Sequence, residues 1–143
     1  MNIFQIRKKD LEGMSLLYQQ LLPNEACVEK MESVYDRNRD NPNHTALVAR
    51  HKGKVLGTLL ACICEMYFGQ CRSFMVIEDF VVDKDHRNSG VGTALMKHAE
   101  NLARDRNCAY IMLITDSDRK ESQRFYENLG YVSEAYCAFK KKI

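Results

Sequence analysis

A single stretch at residues 76–99, V-I-E-D-F-V-V-D-K-D-H-R-N-S-G-V-G-T-A-L-M-K-H-A, limits the fold more tightly than any other part of the chain. It runs from an apolar strand through a polar turn into a glycine-containing helix start. From Gly90 to about residue 107, Val91, Ala94, Leu95, His98, Ala99, Leu102 and Ala103 recur at i, i+3 and i+4. That spacing is the stripe of an amphipathic helix lying on a sheet. Another apolar run at residues 110–115 reads as a strand buried on both faces. Strand, helix and strand in this order form a right-handed crossover, so the two strands are predicted to be parallel neighbours.

The rest of the chain supplies the remaining layers. Residues 2–8 alternate as a first strand. Asp10 offers an N-cap to a helix carrying Leu11, Met14, Leu17, Tyr18 and Leu21. Pro23 and Asn24 end it, and a second helix follows with Cys27, Met31, Val34 and Tyr35 as its apolar stripe. Strands at residues 45–50 and 54–66 meet across His51, Lys52 and Gly53, and Gly57 marks a bulge or a close backbone approach. Residues 121–129 read as a short helix ended by Gly130, and residues 131–140 as one or two closing strands. The expected order is β-α-α-β-β-β-α-β-α-β. This is an α/β (α+β) fold, one domain over residues 1–143, with a mixed, mainly antiparallel sheet and helices on both faces.

Composition narrows the function. With 21 Lys+Arg against 19 Asp+Glu, the net charge of +2 is too small to argue for a nucleic-acid partner. The six cysteines contain no C-x-x-C pair, and Cys62 and Cys64 have the spacing of one strand face, so reduced thiols in a cytoplasmic protein are expected. The histidines show no ligand spacing, and no metal is expected. The longest apolar run, residues 59–64, falls far short of the roughly 20 residues that cross a bilayer. The chain opens at once on strand-like alternation, so neither a leader segment nor a membrane partner is expected.

Two features of the opening stretch exceed architecture. Glu78 puts a carboxylate in an apolar strand, and Arg87 leads the turn R-N-S-G-V-G into a helix N-terminus. Unpaired amides and the helix dipole make such a terminus suited to phosphate. A nucleotide P-loop is excluded, because no Lys-Ser or Lys-Thr follows either glycine. Gly90-x-Gly92 matches part of a dinucleotide fingerprint, with Asp116 as a ribose partner, but Leu95 fills the third glycine position. The remaining pattern is R-x-x-G-x-G: Arg87, Asn88, Ser89, Gly90, Val91, Gly92.

With that turn, I-E-D-F-V-V at residues 77–82, R-F-Y-E-N-L-G-Y at residues 124–131 and this element order, the chain resembles the GNAT superfamily of acyl-CoA-dependent N-acyltransferases. The resemblance covers nearly the whole length. It implies a GNAT-like fold and acetyl-CoA as cosubstrate. The cofactor's pyrophosphate would lie on Arg87, Asn88, Ser89, Gly90, Val91, Gly92 and Thr93. Its pantetheine arm would pair with the strand backbone at Phe80, Val81 and Val82. Glu78 stands where the family places a base that deprotonates the amine, directly or through water; an apolar strand would desolvate this carboxylate, which suits that task. Asp79, which alternation turns to the opposite face, is read as structural or substrate-orienting. Tyr126 matches the tyrosine that protonates the leaving thiolate.

Many relatives have asparagine seven residues and alanine four residues before that tyrosine. Arg119 and Ser122 stand there instead, which leaves open how this loop meets the cofactor. The acceptor implied is the primary amine of a small molecule, as in glucosamine-phosphate, aminoalkylphosphonate and polyamine acetyltransferases. Its walls would come from residues 24–40 and 67–73. Arg37, Arg39 and Arg72 are cations for an anionic amine or plain surface charge. A protein or peptide N-acetyltransferase and a non-catalytic acyl-CoA-binding domain are the alternatives, and a homodimer is common among relatives.

Overall fold

The computed structural model describes all 143 residues. Five strands, β1 (Asn2–Gln5), β2 (His44–His51), β3 (Lys54–Cys64), β4 (Phe74–Val82) and β5 (Ile111–Leu113), form one sheet in sequence order. Four helices accompany them: α1 (Leu11–Leu21), α2 (Val28–Asn38), α3 (Val91–Asp105) and α4 (Lys120–Asn128). The first four strands pair antiparallel. Ala109 donates its N–H to the Ser73 carbonyl at 2.7 Å, and Met75 to that of Tyr110 at 3.1 Å. Both pairs advance along the chain together, the sense of the parallel neighbours expected from the crossover. No helix is long and apolar enough to cross a membrane.

Residues 1–112 and 113–143 form two compact units. In the first, helices cover both faces of the sheet. Leu11, Met14 and Leu17 of α1 pack with Val48, Val55 and Val81 on one face. Leu95 and Val91 of α3 lie over Gly57 on the other. A bulge reconciles the opposite facing of Val55 and Gly57: pairing steps from Ala49↔Gly57 to Arg50↔Val55, leaving Leu56 extra. Gly57 is glycine because of close approach. A Cβ there would stand 3.0 Å from Leu95 Cδ1, 3.0 Å from Val91 Cγ1 and 3.1 Å from the Val81 carbonyl oxygen. At the β2–β3 hairpin, Lys52 (φ 48°) and Gly53 (φ 83°) make a two-residue turn with both centres left-handed.

Several expectations change. Residues 131–140 carry no strand, so the observed order stops at α4. Alternation alone makes no strand unless a partner supplies the ladder. The run at 110–115 yields only the three-residue β5, an edge strand, and Met112 and Ile114 are exposed instead of doubly buried. His98 is exposed; Met96 joins Val91, Leu95, Ala99 and Ala103 as the buried face of α3. Asp10 occupies the N-cap of α1, but its buried carboxylate accepts the Arg7 N–H at 2.7 Å and pairs with Arg50 at 3.4 Å. All six cysteines are free thiols.

Candidate active site

The site begins where β4 stops being regular. Pairing with β3 steps from Leu60↔Glu78 to Thr58↔Val81, so three steps along β4 face two along β3. Asp79 takes up the extra residue at φ 52°, a left-handed backbone that aspartate tolerates better than most side chains. The bulge removes the alternation that would have sent Glu78 and Asp79 to opposite faces. Glu78 pairs with Leu60, Leu60 and Asp79 line the same cavity, and both acids help raise the Cys62 pKa, after burial and Cys64. Two carboxylates therefore serve one side of the sheet.

That cavity, about 400 Å³, lies between α1, α2 and the sheet. Leu11, Met14, Leu21, Met31 and Leu60 are among its apolar lining, and Tyr18, His44 and Asp79 among its polar groups. Its existence explains an oddity of α2, an amphipathic helix with no buried residue: part of its apolar face meets the cavity instead of core. Asp79 keeps solvent access, yet packing around its carboxylate raises its pKa above the ordinary 3.8, with His44 pulling the other way. Burial also pushes the Tyr18 phenol up, the nearby Asp79 charge adds to this, and a hydrogen bond with Thr58 opposes it. Glu78 is exposed, not enclosed as the apolar strand suggested.

Beyond the bulge, Phe80, Val81 and Val82 complete β4. The neighbouring β5 has three residues against nine in β4. Asp83 then starts the turn. Buried at 3% exposure, it accepts a hydrogen bond from Lys54 Nζ at 2.8 Å and from the Asp85 N–H at 3.2 Å. The Lys54 contact is the main reason that its pKa lies below the ordinary value. Asp83 thus anchors the loop that carries exposed Arg87, Asn88 and Ser89 to α3.

Gly90 caps α3 at φ 84°, and Asn88 is left-handed at φ 58°. A Cβ on Gly90 would meet nothing within 4 Å, so backbone conformation and not crowding calls for glycine there. The first helical bond runs from the Ala94 N–H to the Gly90 carbonyl at 3.0 Å. Val91, Gly92 and Thr93 precede it with amides that have no acceptor inside the helix. No side chain caps this terminus and no acidic residue occupies the first turn. The positive end of the dipole therefore has no acidic side chain of its own first turn to offset it.

Ser122 and Tyr126 belong to the unit 113–143, both partly buried on α4. The Tyr126 ring meets Phe125 and Tyr131 edge-on, with centroids at 5.3 and 6.2 Å. Arg119 pairs with Asp116 at 3.3 Å. Arg72 is structural, donating to the carbonyls of Asn107 and Cys108. The sequence reading missed Tyr18, His44 and Asp83; only Asp83 left a signal, as the first polar residue after the apolar strand.

The family model described as "Acetyltransferase (GNAT) family" matches residues 11–131. An acetyl transferase of Oryza sativa, GW6a, is 31% identical over 116 residues, covering 73% of this chain but only 28% of the rice protein. The aminoalkylphosphonate N-acetyltransferase of Salmonella typhimurium is 24% identical over 135 residues, 94% of this chain and 86% of that protein. A solved structure from Agrobacterium tumefaciens str. C58, itself assigned only as an acetyltransferase, superposes over 100% of both chains with TM-score 0.92 and 26% identity. The chain belongs to the acetyltransferase (GNAT) family.

Proposed function

We propose that the chain moves an acetyl group from acetyl-CoA to the primary amine of a small molecule, by direct attack with both substrates bound. The observation that carries this reading is the bulge at Asp79. It turns a carboxylate toward a cavity on the same strand whose end feeds the uncapped amides of α3. Those amides, with the left-handed Gly90 and exposed Arg87 beside them, fit a pyrophosphate. Asn88, Ser89, Val91, Gly92 and Thr93 complete that cradle. The strand backbone at Phe80, Val81 and Val82 pairs with the pantetheine arm as an added strand, and Ser122 is a further cofactor-binding residue of this reading.

Acetyl-CoA supplies an activated acyl carbon, which the amine nitrogen bonds as the carbon–sulfur bond breaks. The residues manage protons and position. An alkylammonium of pKa near 10.4 is neutral to less than about one part in a thousand at pH 7, so its proton must be taken. Glu78, open to solvent, accepts it directly or through water, while Asp79 holds the ammonium in the cavity. Tyr126 returns a proton to the thiolate. In a second reading Asp79 is itself the base, favoured by its raised pKa and its place on the cavity. Six free thiols support a reducing, cytoplasmic setting.

The test is release of CoA thiol with an amine panel. Glu78→Gln is expected to lower kcat by about 10²-fold or more near neutral pH. Full activity in that variant with loss in Asp79→Asn establishes the second reading; no thiol release with any small amine removes the proposal.

A further inference from the structure

We infer that the acceptor is a cationic amine carried on an apolar body, aromatic or branched aliphatic, seated between α1 and α2 with its ammonium at Asp79. This rests on the acetyl-transfer reading and names its substrate class. Three observations converge on it.

Met31 and Tyr35 of α2 are only partly buried against the core and also line the cavity, and Val34 beside them lines it at 40% exposure. A helix that spends its apolar face on open space is stabilised when an apolar ligand fills that space. The volume of about 400 Å³ lies within the roughly 300–1,000 Å³ of small-molecule sites.

The charges differ in their surroundings. Lys30, Arg39 and Glu25 are exposed residues of the cavity lining, and Arg39 already pairs with Asp40 at 3.4 Å. Asp79 is also open to solvent, but its carboxylate is packed about by the cavity wall, with Tyr18 and His44 as its polar company. An anionic group carried inward would meet a like charge among apolar walls, which costs heavily. An ammonium would meet its counter-ion there. A polyamine would carry further charges into those walls, where Asp79 and Glu25 are the only carboxylates.

The apolar walls also discriminate by size. A methylene in a hydrophobic pocket changes kcat/KM by about 10–200-fold, so a phenyl ring adds at least about tenfold over a bare ethyl chain.

The experiment measures CoA thiol release by the full chain at saturating acetyl-CoA. The amines are 2-phenylethylamine, 3-methylbutylamine, ethylamine, spermidine, 2-aminoethylphosphonate and glucosamine 6-phosphate. The first two are expected to exceed ethylamine at least about tenfold in kcat/KM and to exceed the remaining three. Val34→Arg, at an exposed helix position, is expected to lower kcat/KM for 2-phenylethylamine at least about tenfold while leaving the KM for acetyl-CoA unchanged. Preference for a phosphorylated amine or spermidine overturns the inference, assigns recognition to Lys30 and Arg39 or to Glu25, and leaves acetyl transfer standing. Binding of acetyl-CoA without turnover of either apolar amine overturns it as well. Failure to bind acetyl-CoA removes the acetyl-transfer reading, and the inference with it.

Discussion

Gly57→Ala isolates how the sheet positions the phosphate-facing helix. In an ordinary strand this change gains about 0.5–1 kcal/mol, because alanine loses less backbone freedom on folding. Here the new methyl would stand at 3.0 Å from Leu95 Cδ1 and Val91 Cγ1 and at 3.1 Å from the Val81 carbonyl oxygen. The two side chains are buried and the third contact is backbone, so none yields cheaply. Overpacking of this kind costs about 1–3 kcal/mol, which outweighs the propensity gain and leaves a net loss of about 0.5–2 kcal/mol. For a chain this size that is a Tm lower by about 2–8 °C, read by circular dichroism. Because Val91 begins α3, the same displacement is expected to raise the KM for acetyl-CoA severalfold with little change in kcat. An unchanged or raised Tm would refute the close-approach argument and return Gly57 to the role of a weak strand residue.

Other expectations follow from the site. Asp79→Asn is expected to raise Tm more at pH 7 than at pH 4. The fold favours the neutral carboxyl, so stability is fully present below the ordinary pKa and is lost as pH rises through the raised one; equal shifts at both pH values contradict this. Asp83 has the opposite sign. Its ion pair with Lys54 stabilises above the ordinary carboxylate pKa and is lost as pH falls through its depressed value. Asp83→Asn is therefore expected to lower Tm at pH 7, converge with the parent in acid, and raise the KM for acetyl-CoA by loosening the loop before α3. Tyr126→Phe is expected to lower kcat by about 10²-fold while leaving the KM for acetyl-CoA near that of the parent; retained kcat would make Tyr126 a packing residue.

The strand-turn-helix unit was legible because its signals are local. Periodicity places Val91, Leu95, Ala99 and Ala103 on one helix face, and the turn at Gly90 and Gly92 marks where that helix starts. The bulge at Asp79 was not legible, because it arises from pairing between β3 and β4 and leaves no mark within I-E-D-F-V-V. That single displaced residue overturned the assumption that alternation separates Glu78 from Asp79. His98 was placed on the buried stripe, but the buried arc of α3 is turned toward Met96, about 200° from His98 round the helix, which leaves His98 exposed. The α2 stripe had the right period, but period alone does not tell a core from a cavity wall. At residues 131–140 alternation had no partner strand to confirm it.

Binding of acetyl-CoA tests the central claim most directly, by thermal unfolding of the full chain against increasing ligand. At about 100 times its Kd, acetyl-CoA is expected to stabilise the protein by about 2.7 kcal/mol and raise Tm by several degrees. Acetyl-pantetheine, which lacks the pyrophosphate, is expected to shift Tm far less, and NADH not at all. Equal shifts with acetyl-CoA and acetyl-pantetheine would contradict a pyrophosphate site at Arg87, Gly90 and the α3 amides. No shift with millimolar acetyl-CoA would contradict the function itself.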